Sequence, residues 1–447
     1  MHTGDVDMSD SDKRATGVAT ERLDPQPFLV SKANDFDAFR ASVVDAASVS
    51  GGLWITYLGI LFYLLIAIGS VTHKDLFLES PIRLPFMNVD LPMTGFFSLG
   101  PLLFVVVHAY VLLHFVMLAG KIEDLDRVLI TQIVDREEQT KLRRQLPANI
   151  FIQLLAGPSE VRDGLIGGCL WLIALISLVI GPVLLLMFFE VQFLPYHSGP
   201  VTWWQRIAVG IDLGLIWMFW PAIALRKSEV VPMAQRRFRI ARKIQHVGTI
   251  SIMLILTLGS PTLVLLVATF RGEDLRSLVK IPGSDILIDG ELNKKTLLPD
   301  SPFSSLLILP RFDAVGQAKV DSKEKLEYVP QTILVKGRNL QGINLKLADL
   351  RKANLIASDF TGGDLGSADL TNAQLDLANL INAQLDYVHL AGASLKNANL
   401  TGANLNGAFN LTQEQLGEAC GRPALLPPGL TLDKPCPEKP PPAAQSK

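Results

Sequence analysis

Hydrophobic residues follow two incompatible patterns along this chain. Between residues 53 and 270 they gather into five long runs, about 53–71, 96–119, 165–189, 204–225 and 247–270. Each run reaches the ~20 residues that a helix rising about 1.5 Å per residue needs to cross a hydrocarbon layer of about 30 Å. One such run reads equally well as a buried helix of a soluble protein. Five in succession predict an α-helical integral membrane domain of about five transmembrane helices, because backbone groups in lipid must bond within their own segment. Trp54, Trp203, Trp204, Trp217 and Trp220 fall near the ends of these runs, where an amphipathic ring is favoured.

From residue 340 the pattern changes. Leu340, Leu345, Leu350, Leu355, Phe360, Leu365, Leu370, Leu375, Leu380, Leu385, Leu390, Leu395, Leu400 and Leu405 recur at an interval of five. A helix drifts by about 140° per five residues, and a strand sends successive fifth residues to opposite faces. Only a chain that bends once per repeat keeps all fourteen inward. Two positions before most of them stands a small residue, as at Ala348, Ala353, Ser358, Gly363 and Ala368, which fits where the wall approaches the axis. The intervening position is polar (Asn339, Asn344, Asp349, Asn354, Asp359), as a solvent-facing turn residue would be.

ADLRKANL, SADLTNAQL and TGANLNGAF resemble the pentapeptide-repeat family, whose repeat reads A(D/N)Lxx. The resemblance implies a right-handed quadrilateral β-helix over 337–411, with four repeats per coil. Fourteen repeats then make about three and a half coils, some 17 Å long at a ladder spacing of about 4.8 Å. Arg338 and Ile343 at the first two small positions, and Val388 at a later one, predict an irregular start and one swollen corner.

Flanking segments are weaker in signal. Residues 1–50 form a polar amino-terminal segment with nine acids and five bases, in which 31–50 has helical spacing (Phe36, Phe39, Val43, Ala47) and is expected to be a short surface helix. Residues 271–336 read as a linker with short strands. Thr412 and Gln415 have capping-box spacing, so 412–420 is expected to be a capping helix covering the end of the solenoid. The tail 421–447 carries eight prolines and is expected to be extended or disordered. Cys420 and Cys436 flank its first part; a disulfide strapping the tail and two free thiols are the alternatives. Cys169, within the third run, is expected to be a small packing residue.

Composition and charge sharpen the picture. Of 447 residues 49% are hydrophobic and 19% charged, below the roughly 25% charged of an ordinary soluble domain. The net charge of −2 gives no whole-chain basic field to hold nucleic acid. The connections 121–164 and 226–246 each carry seven Lys or Arg, whereas 72–94 carries two and 190–202 none. Basic connections belong in the cytoplasm. The amino terminus is then inside, and everything after Phe270 outside. A short apolar run, Ile150–Leu155, is a candidate for dipping into the membrane, and 226–246 has the charge to adhere to anionic lipid.

Ionisable groups within the runs are costly and draw attention. His108 lies about twelve residues into the second run and Asp212 about eight into the fourth, counted from the same face, so their depths agree within about one helical turn. Local satisfaction of each by a hydroxyl, a carbonyl or snorkelling is the first expectation, and a pair across helices, as a proton-linked site or a packing bolt, is the second. Glu190 and His114 sit near run ends and are given no role. No nucleophile elbow, phosphate loop, metalloprotease helix or zinc spacing is present, so neither catalysis, cofactor nor metal is expected.

THKDLFLESPIRLPFMNVDLPMTGFF, PLLFVVVHAYVLLHF and FLPYHSGPVTWWQRIA resemble uncharacterised bacterial membrane proteins that also end in pentapeptide repeats. That resemblance implies a bacterial inner membrane and a periplasmic repeat domain, and it supplies no activity. The leading expectation is a membrane-anchored interaction scaffold, with the lipid bilayer and an unknown protein or envelope polymer as partners and the oligomeric state left open. The second is a transporter, channel or sensor regulated by the solenoid. The third, a DNA mimic that binds topoisomerase, ranks last: 337–411 holds six Asp against five Lys or Arg, far too little charge for a DNA-like surface, so no nucleic-acid role is expected.

Overall fold

The computed structural model describes residues 27–84, 89–133, 135–147, 149–162, 164–224, parts of 248–259, 305–319 and 323–437. In chain order, α1 spans Pro27–Gly69 and α2 His73–Leu78, followed by a two-stranded hairpin of β1 (Ile82–Arg83) and β2 (Asp90–Leu91). Next come α3 (Met93–Gln132), α4 (Arg136–Arg144), α5 (Ile150–Leu155), α6 (Ser159–Arg162) and α7 (Leu165–Leu175). A single π turn, Ile176–Ile180, joins α7 to α8 (Gly181–Phe193), and a 3₁₀ turn at Leu194–Tyr196 leads to α9 (Gly199–Ala224). Three short helices follow among the described residues: α10 (Ala314–Gln317), α11 (Lys323–Tyr328) and α12 (Gln413–Glu418).

Four segments among the described residues are long and apolar enough to cross a membrane: Asp37–Gly69, Met93–Gln132, Leu165–Tyr196 and Gly199–Ile223. They are compatible with a membrane domain. The fifth expected run, 247–270, and the basic segment 226–246 lie mostly or wholly outside the described residues.

The short surface helix expected at 31–50 is not separate. It is the first part of α1, which runs unbroken for 43 residues, about 65 Å. Val43, Ala47 and Ser50 continue a buried stripe into Tyr57, so residues 43–50 join the bundle, while residues 1–26 of the expected amino-terminal segment lie outside the described residues. Gly51 permits this: a Cβ there would stand 2.8 Å from Nδ2 of Asn149, whose amide donates to the Ala47 carbonyl at 3.0 Å. Residues 150–155 form a short helix that packs into the bundle. Phe151 and Ile152 of α5 are buried, and the Phe151 ring packs 4.0 Å from Phe115 and 5.5 Å from Trp54. Cys169 is exposed on the helix surface, not packed inside, and Trp220 is buried in the bundle instead of facing an interface.

α3 packs against α1 and α9, and α8 packs against α1 and α9. α4 and α5 meet the first part of α1, where Arg40 donates to the Gln145 carbonyl at 3.3 Å. At the opposite end Gln192 donates to the Val71 carbonyl at 2.6 Å, which gathers α2, the hairpin and the 194–198 turn on one face.

That face receives the solenoid. Parallel bridges link each residue to the one twenty positions on, as in Asn344 to Asp364 to Gln384 to Asn404, with one bridge per five residues; four repeats therefore close each coil. The fourteen inward Leu and Phe are all at most 2% exposed. Burying each leucine side chain is worth about 2 kcal/mol. Every fifth residue from Gly337 to Gly407 has a positive φ, and the N–H one residue further bonds back to the carbonyl three before it, as Ile343 does to Leu340 at 3.1 Å. Corners are thus turns with a left-handed third residue, even where it is Leu347, Leu377 or Tyr387. The Asp or Asn before the inward residue accepts the N–H two positions on, as Asp359 does from Thr361 and Asn399 from Thr401, both at 3.0 Å. That is why an Asx residue is preferred there.

The linker boundary moves. Ile308 bridges Asn344, Asp313 bridges Asp349 and Leu334 bridges Asn354, so 305–336 contributes the first coil, interrupted between Asp313 and Leu334 by an insertion carrying α10 and α11. Lys352 fastens that insertion by donating to the carbonyls of Leu326, Glu327 and Val329. At the other end Cys420 bridges Asn399 and Leu425 bridges Asn404. One face therefore has six rungs, from Ile308 to Leu425, about 24 Å tall at ~4.8 Å per rung.

Candidate functional site

Pro182, at the start of α8, organises the centre of the bundle. Proline has no N–H, so the carbonyl four residues earlier in an α-helix, or five earlier in a π turn, loses its donor. Those carbonyls belong to Leu178 and Ser177. Both are taken by other helices: Tyr57 Oη of α1 donates to the Ser177 carbonyl at 3.2 Å, and His108 Nε2 of α3 lies 3.2 Å from the Leu178 carbonyl. Trp54 Nε1 donates to Ser177 Oγ at 3.1 Å. The other ring nitrogen, His108 Nδ1, lies 2.5 Å from Asp212 Oδ1 of α9. His108 and Asp212 are both fully buried, and the Tyr57 ring stacks on the imidazole at 5.6 Å. All four long helical segments thus meet at one polar node, and Asp212 Oδ2 is buried there with no hydrogen-bond partner.

A second buried ion pair lies toward the solenoid. Glu190 Oε1 is 2.9 Å from Arg206 Nε, with both side chains at most 4% exposed, and the Arg206 guanidinium sits 5.0 Å from the Trp203 ring. Glu190 is therefore not an idle end-of-span residue. The sign available in sequence was Arg206, a charge on the apolar fourth run. His114 is half-buried against Tyr110, at 4.6 Å.

The solenoid meets the bundle through Arg338. Its guanidinium donates to the carbonyls of Leu76 and Phe77, at 3.1 Å each, where α2 ends and its carbonyls lack helical partners. Arg338 also pairs with Glu79 at 3.1 Å and stacks 4.2 Å above the Tyr196 ring, while Tyr196 donates to Glu79 at 2.8 Å. Burial lowers the pKa of Arg338. Around this clamp the Ile308 N–H donates to His73 Nδ1 at 3.2 Å, His197 Nε2 contacts the Ser305 carbonyl at 2.8 Å, and Phe77 packs edge-on against Phe312 at 5.1 Å. The irregular first small position is therefore a docking residue. Ile343, the second, is fully buried beneath Gly363, and Val388 is fully buried at its corner.

At the far end Cys420 and Cys436 are bonded, with Cα atoms 4.9 Å apart. The segment 421–437 is not a loose tail: Gly421 donates to the Lys434 carbonyl at 2.6 Å, Arg422 pairs with Asp433 at 2.7 Å, and Gln413 exchanges two hydrogen bonds with Thr431. α12 carries the capping box of Thr412 and Gln415, and Gln415 Nε2 reaches the carbonyls of Leu390 and Ala393 at 2.8 Å each. Residues 438–447 lie outside the described residues. No cluster of three or more His, Cys, Asp or Glu with metal-binding geometry occurs among the described residues.

The family described as "Pentapeptide repeats (8 copies)" matches residues 339–372 and 373–409. Among solved structures, the chain is similar to the pentapeptide repeat protein Rfr23 from the cyanobacterium Cyanothece 51142. The two are 28% identical over 28% of this chain and 84% of that one, with a TM-score of 0.21. A pentapeptide repeat protein from the Arabidopsis thaliana thylakoid lumen is 26% identical over 21% of this chain and 77% of its own, with a TM-score of 0.18. QnrB1, a plasmid-mediated fluoroquinolone resistance protein, is 17% identical over 21% and 65%, with a TM-score of 0.11. No curated protein matches the chain.

Proposed function

We propose that the chain, whose residues 339–409 match the pentapeptide-repeat family and form its right-handed β-helix solenoid, is a membrane-anchored interaction scaffold whose helical bundle carries the solenoid on its outer, periplasmic face in a bacterial inner membrane. The repeats support a protein-interaction role. The observation that carries the reading is the Arg338 clamp: a charged side chain at a repeat position held elsewhere by small or aliphatic residues ties the first coil to the end of α2. A display rod held at one end presents its faces in a fixed direction, which lowers the ordering cost when a protein or envelope polymer binds. The positive-inside count favours the same placement, since the bundle end that holds the solenoid is the one whose connections carry few bases.

Photo-crosslinking residues at the exposed corners Leu377 and Tyr387 of the membrane-embedded protein test this reading. Capture of one specific envelope partner, lost when Arg338 is replaced, supports it; no specific adduct from any face rejects it. Alkaline phosphatase and green fluorescent protein fused after Leu411 report the side of the membrane, and fluorescence without phosphatase activity removes the periplasmic placement. The second reading, a transporter, channel or sensor, is favoured by the buried His108–Asp212 pair. Solute or ion flux in proteoliposomes that depends on either residue would put it first.

A further inference from the structure

We propose that the four-helix node is a proton-binding site, in which the array Asp212–His108–Leu178 carbonyl holds two hydrogens, and in which release of one to solvent unlatches the third span at its Pro182 break. The inference holds whether the bundle only mounts the solenoid or works in its own right.

Donor and acceptor accounting leads there. Both ring nitrogens of His108 face acceptors: a carboxyl oxygen at 2.5 Å and a main-chain carbonyl at 3.2 Å. A neutral imidazole has one N–H and satisfies only one of them. The second hydrogen arrives either as an imidazolium opposite a carboxylate or as a carboxylic acid donating to Nδ1. These two forms have the same number of protons, and each leaves the node without net charge, as an apolar interior requires. Asp212 Oδ2 is buried without a hydrogen-bond partner, which disfavours a bare carboxylate and favours the forms in which the node holds the second hydrogen. Among the described residues, the ionisable groups around the ring are Asp212 from α9 and Tyr57 from α1; the third span offers only the Leu178 carbonyl. The nearest further charges on α9 begin at Arg206, six residues and about 9 Å away along the axis.

Loss of one proton to solvent leaves an Asp212 carboxylate and a neutral His108. The remaining N–H goes to the carboxylate, since a charged acceptor binds it more strongly. Nε2 then turns a lone pair toward the Leu178 oxygen, and the contact becomes repulsive. Pro182 supplies no N–H to that carbonyl, so the contact from His108 Nε2 is what ties this turn to α3. Isolated π turns of this kind recur at functional positions in helices.

Full-length protein with ¹⁵N-labelled histidine rings and a ¹³C-labelled leucine carbonyl, held in lipid nanodiscs, tests the site by magnetic resonance from mildly acid to strongly alkaline pH. His108→Gln assigns the ring signals by their absence. At the acid end the His108 nitrogens are expected either to carry a hydrogen each or to share one with Asp212. On raising the pH they change to a ring with one N–H, the carbonyl at Leu178 shifts with them, and Asp212→Asn abolishes the change. Tyr57→Phe keeps the change while losing the bond to the Ser177 carbonyl. Ring signals that stay constant over the whole range, or that change identically in Asp212→Asn, overturn the proposal. If Asp212→Asn does not fold, the wild-type and Tyr57→Phe titrations decide.

Discussion

Gly363 lies one coil above Ile343, and a Cβ on Gly363 would stand 3.3 Å from Ile343 Cγ2. Small residues line this inner row almost everywhere else, so the pair trades volume: a branched side chain below, none above. Gly363→Ala alone is expected to lower solenoid stability by about 1 kcal/mol through overpacking. Ile343→Ala alone costs about 2–4 kcal/mol through the cavity it leaves. The double substitution should cost less than the sum by about 1 kcal/mol. Thermal or denaturant unfolding of the four proteins measures the coupling, and additive losses would mean that the two residues do not share space.

Arg338→Ala removes two hydrogen bonds to the end of α2, an ion pair to Glu79 and a stacked ring contact. The carbonyls of Leu76 and Phe77 then lose these partners, at a cost of about 1–3 kcal/mol. Hydrogen exchange should accelerate in α2 and the first coil while the interior coils stay protected. Equal acceleration through the solenoid would show that the residue supports the rod itself instead of its seat.

The seat should loosen in acid. Burial holds the pKa of His73 below its ordinary 6.5, and its Nδ1 accepts the Ile308 N–H, which requires the neutral ring. Between the lowered value and 6.5 the undocked state binds more protons than the docked one. The contribution is complete above about 6.5 and is lost as the pH falls through the lowered value. The protection of the Ile308 amide, measured against its intrinsic exchange rate at each pH, should therefore fall on acidification, and His73→Gln should remove that change in protection.

The far end depends on the bond between Cys420 and Cys436, sixteen residues apart in sequence. Closing a loop of that length contributes about 3 kcal/mol by restricting the unfolded strap. Cys436→Ser, or reduction, should free 421–437 and expose the last rung to protease while Leu345 to Leu390 remain protected. Gly421→Ala should do the same without touching the bond. Gly421 has φ of 103°, and its Cβ would stand 2.6 Å from the Thr401 amide nitrogen. Mass spectrometry after brief proteolysis reads both.

The leucine interval revealed the solenoid because each side chain repeats the same geometric instruction. The first coil escaped because the insertion between Asp313 and Leu334 breaks that interval, although Leu307 and Val335 are buried in it. Of the five apolar runs expected in the bundle, four are long helical segments among the described residues. His108 and Asp212 stood out as ionisable residues at matching depth, but their further partner is a main-chain carbonyl, which carries no side-chain signal. Pro182 was the visible mark of it, a proline inside an apolar run, and its meaning depends on which helices lie alongside. Glu190 and Arg206 escaped for a related reason: they face each other only because the 194–198 turn reverses the chain.

Both ends of the solenoid are occupied, one by the bundle and one by the strap, while its interior coils depend only on their neighbours above and below. Such an arrangement works as an adjustable spacer. Insertion or deletion of four consecutive repeats, made between Asn354 and Leu390, would move the strapped tip by about 4.8 Å without altering either fastening. Reach from the bilayer and the identity of the anchoring contacts are therefore separable traits in this molecule.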